Sequence, residues 1–167
     1  MHAGDLGVLV VVTGNVVFEL FQQIGGTMSS PGEACANLLR MMKVAAKQLC
    51  IDPPINFLCV SMFKVSGKAP KFKLKAAESR RMLKVVHFML SQWFKPTSQH
   101  EKLRFQCVSY LHRIYSELEA WNGESWEKTP QLARRFLALY ADLNIEAQRL
   151  DDDEFCVFWK LYPKFHL

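Results

Sequence analysis

The chain has 167 residues, half of them hydrophobic and 22% charged, with a formal net charge of +5. That length suits one domain with a real core and is short for two; the composition excludes a disordered or collagen-like chain. The five cysteines, at 35, 50, 59, 107 and 156, are odd in number and form no Cys-x-x-Cys, which argues against a disulfide framework and for small buried hydrophobes in a reducing compartment.

The first element is a strongly apolar run, Leu6 to Phe21, within a helix expected from about Asp5 to Ile24 and stopped by Gly25-Gly26. Met1 to Asp5 holds no Lys or Arg, so a secretory signal is not expected. Asn15 and Glu19 interrupt the run, which favours a buried core helix over a membrane span. The expected location is intracellular, in nucleus or cytoplasm.

Ser30-Pro31-Gly32-Glu33 is a helix start: Ser30 caps, Pro31 takes the first helical position and Glu33 closes a capping box. That helix carries Leu38, Leu39, Met42, Ala45, Ala46 and Leu49 on one face and ends by Asp52-Pro53-Pro54. Ile55 to Phe63 is short and apolar, and periodicity does not decide its type. A long helix follows from about Ala76 to Phe94, broken at Pro96. Ser98 or Thr97 caps the next, about Gln99 to Trp121, closed by Asn122-Gly123. Thr129-Pro130 opens another, to about Leu150. The aromatic tail Phe155 to Leu167 reads as one or two short strands. The expectation is an all-α fold: a single irregular bundle of about five helices spanning residues 1–167.

Charge is segregated. Lys64, Lys68, Lys71, Lys73, Lys75, Arg80, Arg81 and Lys84 face a single acid, Glu78, over residues 64–84. Ten of the sixteen acids lie between Glu117 and Glu154 and end in Asp151-Asp152-Asp153-Glu154. A basic face and an acidic end are expected. The acidic run lacks the alternating ligand spacing of a calcium loop, so a solvated turn is the better reading. Lysines on a loop beside Phe63 and Phe72 suit phosphate neutralisation with an aromatic to stack. The candidate nucleic-acid-binding residues are therefore Lys64, Lys68, Lys71, Lys73, Lys75, Arg80 and Arg81; a solvated basic loop is the plainer alternative.

Catalytic patterns are missing. No Gly-x-Ser-x-Gly elbow, phosphate loop, dinucleotide fingerprint or His-Glu-x-x-His is present. The histidines at 2, 87, 100, 112 and 166 make no ligand pair at helical spacing, and His87, His100 and His112 read as structural. No cofactor, metal or catalytic residue is assigned.

Three patches carry a resemblance. They are Met1-His2-Ala3-Gly4-Asp5-Leu6-Gly7-Val8 with Gly14-Asn15-Val16; Gly67-Lys68-Ala69-Pro70-Lys71-Phe72-Lys73 running into Ala76-Ala77-Glu78-Ser79-Arg80; and Trp159 to Leu167, WKLYPKFHL. Together the chain resembles a transposon-derived family expanded in protist genomes, distantly related to Asp-Asp-Glu transposases with a ribonuclease H-like core. In such enzymes the second catalytic acid stands in an Asp-x-x-His arrangement. The resemblance makes His2 that histidine and puts its Asp two residues before Met1, with the third acid past Leu167. It implies that the chain corresponds to the helical insertion between the two carboxylates, and so is a fragment without the ligands for two Mg²⁺ about 4 Å apart. Asp5 follows His2 and does not replace them. Such insertions contribute DNA or subunit contacts. The expectation is a non-catalytic helical domain contacting DNA through the basic loop. The alternatives are an assembly module, with its apolar patch around Leu6–Phe21 and the 155–167 tail, and a non-functional remnant of a mobile element.

Overall fold

The computed structural model describes residues 7–63, 74–120, 128–150 and Trp159. Among the described residues five helices make up the fold: α1 (Leu9–Gly25), α2 (Pro31–Gln48), α3 (Ala76–Gln92), α4 (Gln99–Glu119) and α5 (Thr129–Arg149), with a 3-10 turn at Val60–Met62. No strand occurs among the described residues; the strands expected in the tail, and the Asn122-Gly123 stop, fall outside them. The helical bundle read from the sequence is the fold observed.

Helix starts follow local chemistry. At α2, Ser30 Oγ accepts the Glu33 N–H at 3.2 Å, and Glu33 returns to the Ser29 N–H at 3.2 Å rather than to the cap residue itself. At α4 the box closes on Ser98: its Oγ accepts the Glu101 N–H at 3.1 Å, while Glu101 Oε2 accepts the Ser98 and Thr97 N–H groups at 3.2 and 2.6 Å. Each arrangement satisfies donors that the first helical turn leaves free. At α3 the cap residue is Lys75, which has no acceptor to offer. Only the returning half of the box forms, from the Lys75 N–H to Glu78 Oε2 at 2.7 Å.

α2 ends at Gln48, within the bound that Asp52-Pro53-Pro54 sets. Cys50 stands at φ 54°, the left-handed region. Its N–H reaches Lys47 O at 3.1 Å, and the Ile51 N–H reaches Ala46 O at 3.0 Å. This is the paired-bond C-terminal stop that glycine usually supplies.

α1 packs against α2 and α3, α2 against α3, α3 against α4, and α4 extensively against α5. Every residue from Leu9 to Leu20 is buried. A helix that is apolar all round requires such a surround, so α1 is the axis of the core and not the exposed junction that its composition also allowed. No helix among the described residues is long and apolar enough to cross a membrane. Cys35 and Cys107 are buried, as their reading as small hydrophobes requires, whereas Cys50 is exposed and Cys59 half-buried.

Candidate nucleic-acid interface and a buried carboxylate centre

The basic segment divides unevenly. Lys64, Lys68, Lys71 and Lys73 lie outside the described residues, so the structure speaks for Lys75, Arg80 and Arg81. Lys75 is exposed at the start of α3; Arg80 and Arg81 follow in its first two turns, half-buried. Arg81 Nη1 pairs with Asp52 Oδ2 at 3.0 Å, tying the start of α3 to the chain leaving α2. Lys84, one turn on, pairs with Glu119 at 2.7 Å. These acids occupy Arg81 and Lys84, while no described acid forms an ion pair with Lys75. Both pairs are solvent-facing and worth about 1 kcal/mol or less, so a phosphate can compete for either cation.

The aromatic partner is not the expected one. Phe63 is buried: its ring stacks on Phe21, centroids 4.9 Å apart, and tilts against Phe18 at 5.4 Å. It anchors the 3-10 turn to α1 and offers no face to a base. Among the described residues the most open aromatic is Phe57, 67% exposed, five residues beyond Asp52. The sequence signal for it was weak, since a short apolar run does not say which ring turns outward. Phe72 lies outside the described residues.

A second constellation sits in the core. Glu19, on the otherwise apolar α1, is 2% exposed. The Nε2–H of His100 donates to Glu19 Oε1 at 2.9 Å, Arg104 Nη1 donates to Oε2 at 2.6 Å, and the Trp159 indole N–H also donates to Oε1. His100 and Arg104 stand one turn apart on α4 and so share a face. Burial works to raise the carboxyl's pKa, but the His100 hydrogen bond, the Arg104 charge and the indole donor outweigh it and hold Glu19 below its ordinary value. Trp159 is itself fully buried, edge-on to Tyr140 at 5.7 Å, and its carbonyl accepts from Asn144 Nδ2 at 2.9 Å. The centre thus joins α1, α4, α5 and the tail. Among the described residues every polar contact of the carboxylate is an internal donor, as in a structural ion cluster.

His87 on α3 and His112 on α4 lie ring on ring, centroids 4.3 Å apart and 11° from parallel. Burial first, and then the neighbouring His112, lowers His87 to about 4. Burial and the Lys84 charge lower His112, against a smaller opposing effect of Glu119. Both rings are neutral near pH 7. Among the described residues no third His, Cys, Asp or Glu joins them as a metal ligand.

No protein-family model, no curated protein and no solved structure matches the chain.

Proposed function

We propose that the chain is a non-catalytic helical domain that contacts nucleic acid through the basic segment Lys64–Arg81, in keeping with its resemblance to a transposase insertion. One observation carries the reading: α3 presents Lys75, Arg80 and Arg81 at its start, where the Asp52–Arg81 pair draws in the chain leaving α2. In sequence the remaining lysines, Lys64, Lys68, Lys71 and Lys73, lead straight into that start. Clustered cations gain affinity by releasing the counterions condensed on a polyphosphate, independently of base sequence. Phe57 adds a ring on which an unpaired base stacks.

The test is a salt titration of binding to duplex and single-stranded DNA. Replacing Lys68, Lys71, Lys73 and Lys75 by Gln lowers the slope of log K against log salt by about 3 to 4 on duplex DNA, at about 0.9 per phosphate neutralised. Phe57→Ala weakens single-strand binding roughly tenfold and leaves duplex binding alone. Absent or salt-independent binding at about 50 mM salt rejects the reading.

A further inference from the structure

The outer face of α2 carries cations that the basic segment does not account for. Arg40, Lys43 and Lys47 line a shallow cleft of about 470 Å³ together with Ala36, Leu39 and Val44. Val44 is 42% exposed. The three cations alone would also suit a polyphosphate, but the aliphatic side chains among them gain nothing from it, whereas a helix carrying both acid and aliphatic side chains matches both.

Such a helix exists on this chain. The outward face of α5 exposes Asp142 beside Ile145, 48% exposed, with Glu146 half-buried and Leu150, at the helix end, 49% exposed. Arg40, Lys43, Val44 and Lys47 stand at the same helical offsets as Asp142, Ile145, Glu146 and Arg149, so two short amphipathic stripes of largely opposite charge are matched in length. Arg149 is the one like charge, and it is turned toward Glu146, its Nη1 3.6 Å from Oε2. The two faces have no means of meeting within one molecule: α2 packs on α1 and α3, α5 packs on α4, and α2 and α5 share no substantial contact.

We propose that the α2 face of one copy docks on the α5 face of a second copy, head to tail. The contact is heterologous, because each molecule offers one donor face and one acceptor face, and it propagates beyond a dimer unless rotation closes a ring. This surface is separate from Lys64–Arg81, and the two proposals stand or fall independently.

Sedimentation velocity and light scattering of the full chain, up to about 1 mM, test it. The weight-average mass is expected to rise with concentration past that of a dimer, and to fall when salt is added. Two surface variants separate the faces: Lys43→Glu with Lys47→Glu blocks α2, and Asp142→Lys with Ile145→Lys blocks α5. All four residues are exposed, so both variants stay folded, with a small fall in melting temperature for Lys47→Glu, which puts an acid in the last turn of α2. Each alone is monomeric. Mixed in equal amounts they form a one-to-one pair and stop there, because only one intact face of each kind remains. The variant lacking Lys68, Lys71, Lys73 and Lys75 assembles like wild type even if it has lost DNA. A wild-type monomer at every concentration overturns the proposal. So does persistent association of either variant alone, which indicates a symmetric contact elsewhere, or a mixture that stays monomeric.

Discussion

His100 Nε2 stands 2.9 Å from Glu19 Oε1 across 81 residues of sequence, and Arg104 holds the other carboxylate oxygen at 2.6 Å. The core of this bundle is therefore organised around an ion cluster, and its energetics follow from what happens when one member is removed.

Arg104→Met strips the carboxylate of its formal counter-charge and is expected to cost about 3–5 kcal/mol, as is Glu19→Leu, which strands the guanidinium. Replacing Glu19, His100 and Arg104 together by Leu, Leu and Met costs far less than either, because no buried charge is left uncompensated. Urea midpoints of the three variants check this. Equal losses for single and triple replacement would mean that packing, and not charge, dominates the site.

Stability should fall on acidification in two windows. His87 has a folded pKa of about 4, below its ordinary 6.5. The unfolded chain therefore binds more protons between those values, and the ring's contribution is full above pH 6.5 and lost as pH falls toward 4. Screening of a half-exposed ring limits it to about 1–2 kcal/mol. Glu19, also lowered, contributes above its unfolded value and loses that contribution at still lower pH. His112, also lowered, contributes to the upper window and Glu101 to the lower one, so His87→Gln makes the upper window shallower without touching the lower, and Glu19→Gln does the reverse. Denaturant unfolding at half-unit pH steps resolves the two.

Cys50 holds a left-handed conformation in which its Cβ is crowded. Cys50→Gly relieves that strain and is expected to stabilise the protein by about 1 kcal/mol, less what glycine adds to the entropy of the unfolded chain. A raised melting temperature with unchanged helix content confirms it; a lowered one shows that the thiol makes a compensating contact.

Trp159→Phe keeps an aromatic ring against Tyr140 while deleting the indole donor to Glu19. A loss of about 1–3 kcal/mol is expected, set by the lost hydrogen bond to a buried charge. Trp159→Ala, which also leaves a cavity, costs about 3–5 kcal/mol. If Phe is as well tolerated as Trp at neutral pH, the indole N–H is not what secures the tail.

Asp52→Asn removes the acid that neutralises Arg81. The exposed pair is worth about 1 kcal/mol or less, so stability barely moves while DNA affinity at low salt rises. Binding and melting curves measured on one preparation give both answers.

Helix positions were legible because their signals are local. Ser30-Pro31 with Glu33, and Ser98 with Glu101, state their starts within four residues, and Pro96 states a break. The end of α2 was bounded by Asp52-Pro53-Pro54 but not located, because its stop is a cysteine in the conformation glycine usually takes, and nothing in the side chain announces that. Glu19 was visible as an interruption in an apolar run, and that alone pointed to a buried helix. Its partners were not visible, because a carboxylate's donors are fixed by how helices cross and not by neighbours in sequence. The same reason hid the His87–His112 stack, which forms between helices. Phe63 turned out buried and Phe57 open, and neither was legible because a short apolar run has no periodicity to sort its rings.

The ion cluster also has a direction in time. Synthesis releases α1 first, whereas the donors to Glu19 follow 81, 85 and 140 residues later. At ribosomal rates that wait is on the order of ten seconds. Through it α1 carries a carboxylate whose native donors do not yet exist, so burying it as an ion in that interval is costly. The indole is the last of these donors to be made: a chain cut before residue 159 leaves Glu19 with His100 and Arg104 but without its third hydrogen bond.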